Sequence, residues 1–561
     1  MTLRLLHSVS ILIAVSSTSL ARQPRADLVL LNAHVITMDP KRPSAEAIAI
    51  RGDRIAWVGT TAEAKKVFPN VARTLDLAGE TVLPGIIDSH THLVSLGESF
   101  LKLNLKDVPT EEAIIDRVKR RVASASPGEW ILGWGWDEGE WASHYPTNEA
   151  LSRIAPNNPV FLVGLHGFAA WANKKALEIA GVDRETKDPE NGKIIRDEPS
   201  REPTGVLTNR AQELVARHIP PLTLDRLKKA IELAAAECIR NGITSVHEAG
   251  VTPLTIRAFR ELINKRKIPL RVYAMLDGAN KDLVEEWFAK GPEIDSVHHH
   301  LTIRSFKLFA DGALGSRGAA LFEPYSDSPE TRGLITTSED EIYNLTRRCL
   351  EKGFQVAIHA IGDAANHLVL NAYERAMKDT PRATDARLRV EHAQVLSPID
   401  IPRFARLGVI ASMQPVHCTS DMGWAEQRVG SQRIKGAYAW RSVLGTGAHL
   451  PLNSDFPGET LNPFYGIYAA ITRQDPHGNP RGGWYPEQRL ALEEALRGYT
   501  VEAAFAGFEE QMKGSIQVGK LADLIVISKD ITKIPPKEML SVRVLKTTIG
   551  GKLVFDAEKI N

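Results

Sequence analysis

The chain has 561 residues, with 69 Lys or Arg against 68 Asp or Glu and a formal net charge of +1. That length exceeds one ordinary hydrophobic core and suits a barrel of roughly 250 to 400 residues with a further unit attached. The balanced, interspersed charge excludes a polycationic groove for nucleic acid and leaves a small, weakly charged molecule as the expected partner.

The first residues, MTLRLLHSVSILIAVSSTSLARQP, combine an early basic residue, an apolar stretch around Ile11 to Val15 and the small-residue ending Ser19-Leu20-Ala21. This is the layout of a secretory signal peptide over 1–21, too short to anchor in a bilayer, and it predicts a periplasmic or secreted protein; a mitochondrial-type presequence is the competing reading. No later stretch approaches the ~18 uncharged apolar residues of a spanning helix, so no membrane anchor is expected after leader removal. Cys238, Cys349 and Cys418 are widely separated and odd in number. They exclude a disulfide scaffold or a CxxC metal knuckle, and each reads as a small buried side chain.

From 22 to 83, ADLVLLNAHVITM, AEAIAIRGDRIAWVG and ARTLDLAGETVLPG are short apolar runs broken by turn residues, which predict a small antiparallel sheet. The tail, 506–561, has the same texture in GSIQVGKLADLIVISKD and VLKTTIGGKLVFD. Neither piece holds enough strands to bury a sheet face alone, so one composite β-domain from both ends is expected. Between them, over 84–505, the runs TVLPGIIDSH, GITSVHEAG, LRVYAM, TIRSFKLFADG, FQVAIHAIGD, ARLRVEHAQ, VIASMQPV and GAHLPLNSDF alternate with helical patterns such as TLDRLKKAIELAAAECIRN and SEDEIYNLTRRCLEKG. Ser338 ahead of acidic residues marks the start of the latter helix. Eight strand candidates predict an α/β fold built on a closed (β/α)8 TIM barrel. The stretch 101–230 is too long for one crossover, and WILGWGWDE and NPVFLVGLHG give it strands of its own, so it reads as an insertion at the barrel mouth.

His90 and His92 stand two apart at the end of an apolar strand and would converge at its C-terminal tip, where barrels place their chemistry. His359, His392 and Asp455 end other strands. One HxH could be two packed histidines, but four imidazoles and a carboxylate at strand tips are hard to satisfy in a core and easy to place around Zn²⁺ or a comparable divalent ion. Lys307 lies inside an apolar strand, where it must be paired, deprotonated or modified, unless its stem alone is buried and its ammonium reaches solvent or Asp311.

The motifs PGIIDSHTH (84–92), GWGWDE (133–138), LHGFAAWANKKAL (165–177), GITSVHEAG (242–250), FKLFADGALGSR (306–317), IHAIGDAAN (358–366), VEHAQ (390–394), NSDFP (453–457) and KGSIQVGKLADLIV (513–526) run nearly the length of the chain. In that order they resemble the amidohydrolase superfamily, and within it the large amidohydrolase-3, YtcJ-like branch that includes N-substituted formamide deformylases. The resemblance implies His90, His92, His359 and His392 as metal ligands and Asp455 as the carboxylate that touches metal and shuttles the proton. It implies Lys307 as a carboxylated lysine bridging two ions, or one ion if it is unmodified. His392 could also stabilise an oxyanion, and family habit implies a homodimer. Asn453 departs from the glycine more usual at that position.

The implied reaction is hydrolysis of a non-peptide C–N bond in an amide, N-acyl or N-formyl compound by metal-activated water. Deamination or hydrolysis of a cyclic amide or carbamate would use the same machinery, and a non-enzymatic periplasmic binding protein is the alternative of another class. Trp134, Trp136 and Asp137 could wall a pocket for an aromatic or apolar substrate, or only pack an inserted hairpin. His166 and His417 could face that pocket or serve local hydrogen bonds. Arg317 could bind a substrate carboxylate, or pair with Asp311 and fix its loop.

Overall fold

The computed structural model describes residues 25–106, 108–136, 145–164 and 169–559. The signal-peptide reading of 1–21 lies outside the described residues. The central sheet contains seven consecutive parallel strands: β1 (Ile86–Thr91), β2 (Ile243–Val251), β3 (Arg271–Asp277), β4 (Leu301–Phe309), β5 (Gln355–Ala360), β6 (Arg389–His392) and β7 (Ile410–Ser412). They are buried almost throughout, as in any parallel sheet walled by helices on its outer face.

The segment 449–453 closes the barrel. Ala411 N donates to His449 O at 3.1 Å and Met413 N to Pro451 O at 3.1 Å, and Met413 bridges Leu452 in parallel. On the other edge Asp455 N donates to His90 O at 3.1 Å and His92 N to Phe456 O at 2.9 Å. Pro451 has no N–H to give, which accounts for an eighth stave made of single bridges instead of a regular ladder.

The helix patterns form as the sequence predicts. Helix α1 (Leu93–Leu101) follows β1, and α2 (Leu224–Arg240), capped by the Thr223 side chain, buries Leu227, Ala230, Ile231, Ala234 and Cys238 on one stripe. Ser338 caps the helix Glu339–Lys352 in a reciprocal capping box with Glu341. Gly97 lets α1 sit directly on α2, since a Cβ there would lie 2.0 Å from Ala230 O. The inserted chain thus leaves and returns beside one helix pair. It builds its own six-stranded sheet, Gly192–Arg196, Pro203–Asn209, Ala169–Ala172, Val160–Gly164, Ile131–Trp136 and Leu103–Asn104 in that spatial order.

The two chain ends share a sheet: Leu524–Ile527, from the C-terminal end, pairs antiparallel with Thr81–Pro84. The expectation of a purely antiparallel N-terminal sheet is corrected here. Leu28–Leu31 pairs in parallel with Thr74–Asp76, and His34–Ile36 in parallel with Thr81–Pro84. A parallel pair needs a crossover, and the helix Thr61–Val67, with its Thr60–Glu63 capping box, supplies one between two of the predicted runs. A bidentate Arg271–Asp523 pair, 2.6 and 2.8 Å, ties this β-structure to barrel strand β3.

Candidate metal centre

The C-terminal tips of β1, β5, β6 and the eighth stave converge. His90 is fully buried and its Nδ1 lies 2.5 Å from Glu391 Oε2, so that nitrogen carries the proton and Nε2 presents its lone pair inward, where it has no hydrogen-bond partner. Asp455 Oδ1 is likewise buried and unpartnered, 3.7 Å from His90 Nε2 and 3.3 Å from His92 Nε2. The His392 ring centre is 5.3 Å from that of His90 and 4.5 Å from that of His359. Among the described residues, His90, His392 and Asp455 offer ligand atoms within 4.8 Å of one another. Donor atoms aimed at one another across a space with nothing to bond are what a divalent ion satisfies, and an N/O set of this kind suits zinc.

Each of these side chains is held from behind. His392 Nδ1 donates to Gln414 Oε1 at 3.1 Å, Gln414 Nε2 donates to Asn453 Oδ1 at 2.7 Å, and Asn453 Nδ2 donates to Ser412 Oγ at 3.0 Å. This chain fixes the His392 tautomer as Glu391 fixes that of His90. It also gives the departure at Asn453 a physical role that glycine could not fill. His392 (φ 73°) and Asp455 (φ 56°) both adopt left-handed backbone, a strain that turns their side chains off the regular strand direction into the centre.

His92 occupies the N-cap position of α1 without capping it. An imidazole facing the centre cannot also accept backbone amides. Glu248, from β2, takes over by accepting Leu93 N at 2.6 Å, Val94 N at 3.1 Å and Thr91 Oγ1 at 3.0 Å.

Burial lowers the His359 pKa to about 3, with the nearby Lys307 charge contributing, so that ring is neutral. For Asp455, burial opposes ionisation, but the His92 imidazole 3.3 Å from its Oδ1 and the surrounding His90, His392 and His417 rings outweigh it and hold the carboxyl below its ordinary range. Burial lowers Lys307 to about 8, against the pull of Glu391 and Asp455. Its Nζ has no hydrogen-bond partner and stands 3.9 Å from the centre of the Phe309 ring. Lys307 therefore reaches neither solvent nor Asp311, whose carboxylate instead accepts the backbone amides of Ala320, Ile361 and Gly362.

The substrate-facing expectations divide. His417, on the helix Pro415–Asp421, stacks 6.0 Å from His392, with Nε2 3.8 Å from Asp455 Oδ2. Arg317 pairs with Asp327, which Arg428 also engages, so the expected Asp311 pairing is replaced by a surface cluster. Trp136 does not share the face of Trp134, although the two stand two apart. A bulge between them, with Gly135 at φ 95°, turns Trp136 into the core of the insertion, where its Nε1 donates to Leu162 O at 2.9 Å. Asp137 and His166 lie outside the described residues.

Sequence reading missed the Arg389–Glu391 pair. Arg389 Nε donates to Glu391 Oε1 at 2.6 Å, while its other nitrogens reach His247 Nδ1 at 2.9 Å and Ser89 O at 2.6 Å. The signal was present: two opposite charges two apart in a parallel strand otherwise buried on both faces. Gln414 and Glu248 carried no comparable signal, since both act on partners distant in sequence.

Comparison with known proteins agrees with this geometry. The model of the "Amidohydrolase family" matches residues 73–555. The chain is 34% identical over 542 residues to Protein LONG AFTER FAR-RED 3 of Arabidopsis thaliana, covering 94% of this chain and 92% of that protein. It is 29% identical to an N-substituted formamide deformylase of Arthrobacter pascens, covering 94% and 98% respectively. A crystal structure of an uncharacterized metal-dependent hydrolase from Pyrococcus furiosus superimposes with a TM-score of 0.76 at 30% identity, covering 90% of this chain and 99% of that one.

Proposed function

This chain belongs to the amidohydrolase family and is a metal-dependent hydrolase of carbon–nitrogen bonds other than peptide bonds; we propose that its substrate is a small amide, N-acyl or N-formyl compound and its ion zinc. The observation that carries the reading is the pair of buried, unpartnered atoms His90 Nε2 and Asp455 Oδ1 facing each other at 3.7 Å. The name of the Arthrobacter relative supports the N-formyl class. His90, His92, His359, His392 and Asp455 would hold the ion. A divalent ion in such a site lowers the pKa of a water towards neutrality and polarises a substrate carbonyl.

The remaining steps belong to the side chains. Asp455, kept ionised by the surrounding imidazoles, accepts the proton of the attacking water and returns it to the departing nitrogen. His417 faces the same space and donates to the oxygen that gains charge. Lys307, buried with an unpartnered Nζ and a pKa lowered to about 8, could lose its proton and add dissolved carbon dioxide, and the resulting carbamate would supply oxygen ligands for a second ion. The single three-residue ligand cluster among the described residues favours a second reading, one-ion chemistry such as deamination or cyclic-amide hydrolysis at the same site.

We also read residues 1–21 as an export leader and the mature protein as a periplasmic or secreted homodimer. N-terminal sequencing and sedimentation check those two points. Anomalous scattering at the metal edges, with turnover of formamides, N-acyl amines and cyclic amides, tests the whole. Zinc bound at His90 and Asp455 with formamide turnover is the expected result. A fully loaded protein with no metal at these residues would overturn it.

A further inference from the structure

A cavity of about 500 Å³ lies between the insertion and the barrel mouth, and its two walls do not match. One wall is the inner face of the insertion sheet. Leu132 pairs with Phe161 and Trp134 with Val163 across adjacent strands, so four apolar side chains share that face. The other wall is helix α1, which turns Ser95, Glu98, Ser99 and Lys102 towards the sheet, positions spaced three and four apart that form its polar stripe. The apolar side of α1, Leu93 and Leu96, is committed to the barrel core. An apolar sheet face set against a polar helix face cannot interdigitate, and space is left between them.

The cavity adjoins the segments that carry the candidate metal centre. Helix α1 begins immediately after His92, and Pro457, which lines the cavity, is two residues beyond Asp455; His92 N donates to Phe456 O at 2.9 Å and locks the two segments together. Glu98 and Lys102 contribute one formal charge of each sign to the lining, which carries no net charge. The volume is in the range that accommodates small-molecule ligands, roughly 300 to 1,000 Å³.

We propose that this cavity receives an uncharged alkyl or aryl substituent of the scissile amide, laid against Trp134, Leu132, Phe161 and Val163 while the amide itself reaches Asp455. The proposal rests on the reading of the centre as a C–N hydrolase, and it assigns Trp134 the aromatic contact that Trp136, turned into the insertion core, cannot make. Nothing covalent is added: the cavity selects the substrate and leaves the reaction unchanged.

The test uses the metal-loaded full chain, two variants and both binding and turnover. Trp134→Ala removes the stacking face. Ser95→Trp puts an indole into the space from an exposed position on α1 and disturbs no core packing. Calorimetric titration with 3-phenylpropan-1-ol, which cannot be hydrolysed, should show binding that weakens about tenfold in each variant, the scale of a lost aromatic contact. The ratio of kcat/KM for N-(3-phenylpropyl)formamide to that for N-methylformamide should fall by a similar factor.

Unchanged alcohol binding in both variants, or tighter binding of 3-phenylpropane-1-sulfonate than of the alcohol, overturns the proposal. If neither formamide is turned over but the alcohol binds and both variants lose it, the cavity assignment stands and the reaction assigned to the centre falls. If formamides are turned over with an unchanged ratio in both variants, the reaction stands and the cavity assignment falls.

Discussion

Two buried arginine–carboxylate pairs serve different parts of the molecule. Arg271 and Asp523 face each other in a closed fork, with the remaining bonds going to His299 O and Gly550 N, and the whole arrangement joins β3 to the terminal β-structure. Arg389 and Glu391 lie on one strand, and their bonds radiate to β1, β2 and β7 through Ser89, His90, His247 and Ser412. The first network terminates in satisfied groups. The second leads to His90 Nε2, which has no partner among the described residues. Buried polar groups are ordinarily paired, so the network that ends on an open lone pair is the one arranged for a ligand.

The sharpest way to break the comparison is to neutralise one carboxylate of each pair. Asp523→Asn and Glu391→Gln each leave an arginine buried without its counter-charge, which costs about 3–5 kcal/mol in denaturant unfolding. Of these two, only Glu391→Gln should also weaken metal affinity, by about 10- to 100-fold, because Glu391 and not Asp523 sets the tautomer of a proposed ligand, His90. Equal metal loss in both variants would mean that the centre responds to global stability alone.

The acid limb separates the pairs further. Burial would raise the Asp523 pKa, but the Arg271 charge and hydrogen bond outweigh it and the net shift is downward. A carboxyl with a depressed folded-state pKa contributes stability that is complete above its unfolded value near about 3.9 and is lost as pH falls through the folded value. Stability of the wild type should therefore drop more steeply below about pH 4 than that of Asp523→Asn. Parallel acid limbs would remove Asp523 from the account.

Gln414→Ala is a milder test. It leaves both arginine pairs intact but releases His392 Nδ1, so metal affinity should fall by about tenfold with little change in unfolding midpoint. Asn453→Gly should reproduce part of that loss by freeing Gln414.

These predictions also mark what the sequence could reveal. The barrel, the composite β-structure and the inserted sheet were legible because apolar runs, turn residues and helical periods are local signals. The convergence of His90, His92, His359, His392 and Asp455 was legible because strand ends are positions at which a barrel gathers side chains. The Gly135 bulge was not, since alternation assigns Trp134 and Trp136 to one face and one positive φ undoes it. The partner of Arg317 was also misjudged, because Asp327 is reached across a folded-back loop while Asp311 is nearer in sequence. Helix Thr61–Val67 was lost to its shortness, with only the Thr60–Glu63 box to announce it.

The smallest effect expected is that of Glu248→Gln, at a third buried carboxylate and one that has no arginine. Burial raises its pKa, and the amides of Leu93 and Val94 draw it back only in part. It performs for α1 the capping that His92 gives up by facing Asp455, and an anionic acceptor at a helix N-terminus also complements the helix dipole. Glu248→Gln keeps an acceptor and should cost about 0.5–1 kcal/mol, whereas Glu248→Ala leaves buried amides unpaired and should cost about 1–3 kcal/mol. If both variants unfold at the same denaturant concentration as wild type, α1 does not depend on the strand beside it for its cap, and the freedom of His92 to face the metal centre must come from the Phe456 carbonyl that accepts its amide.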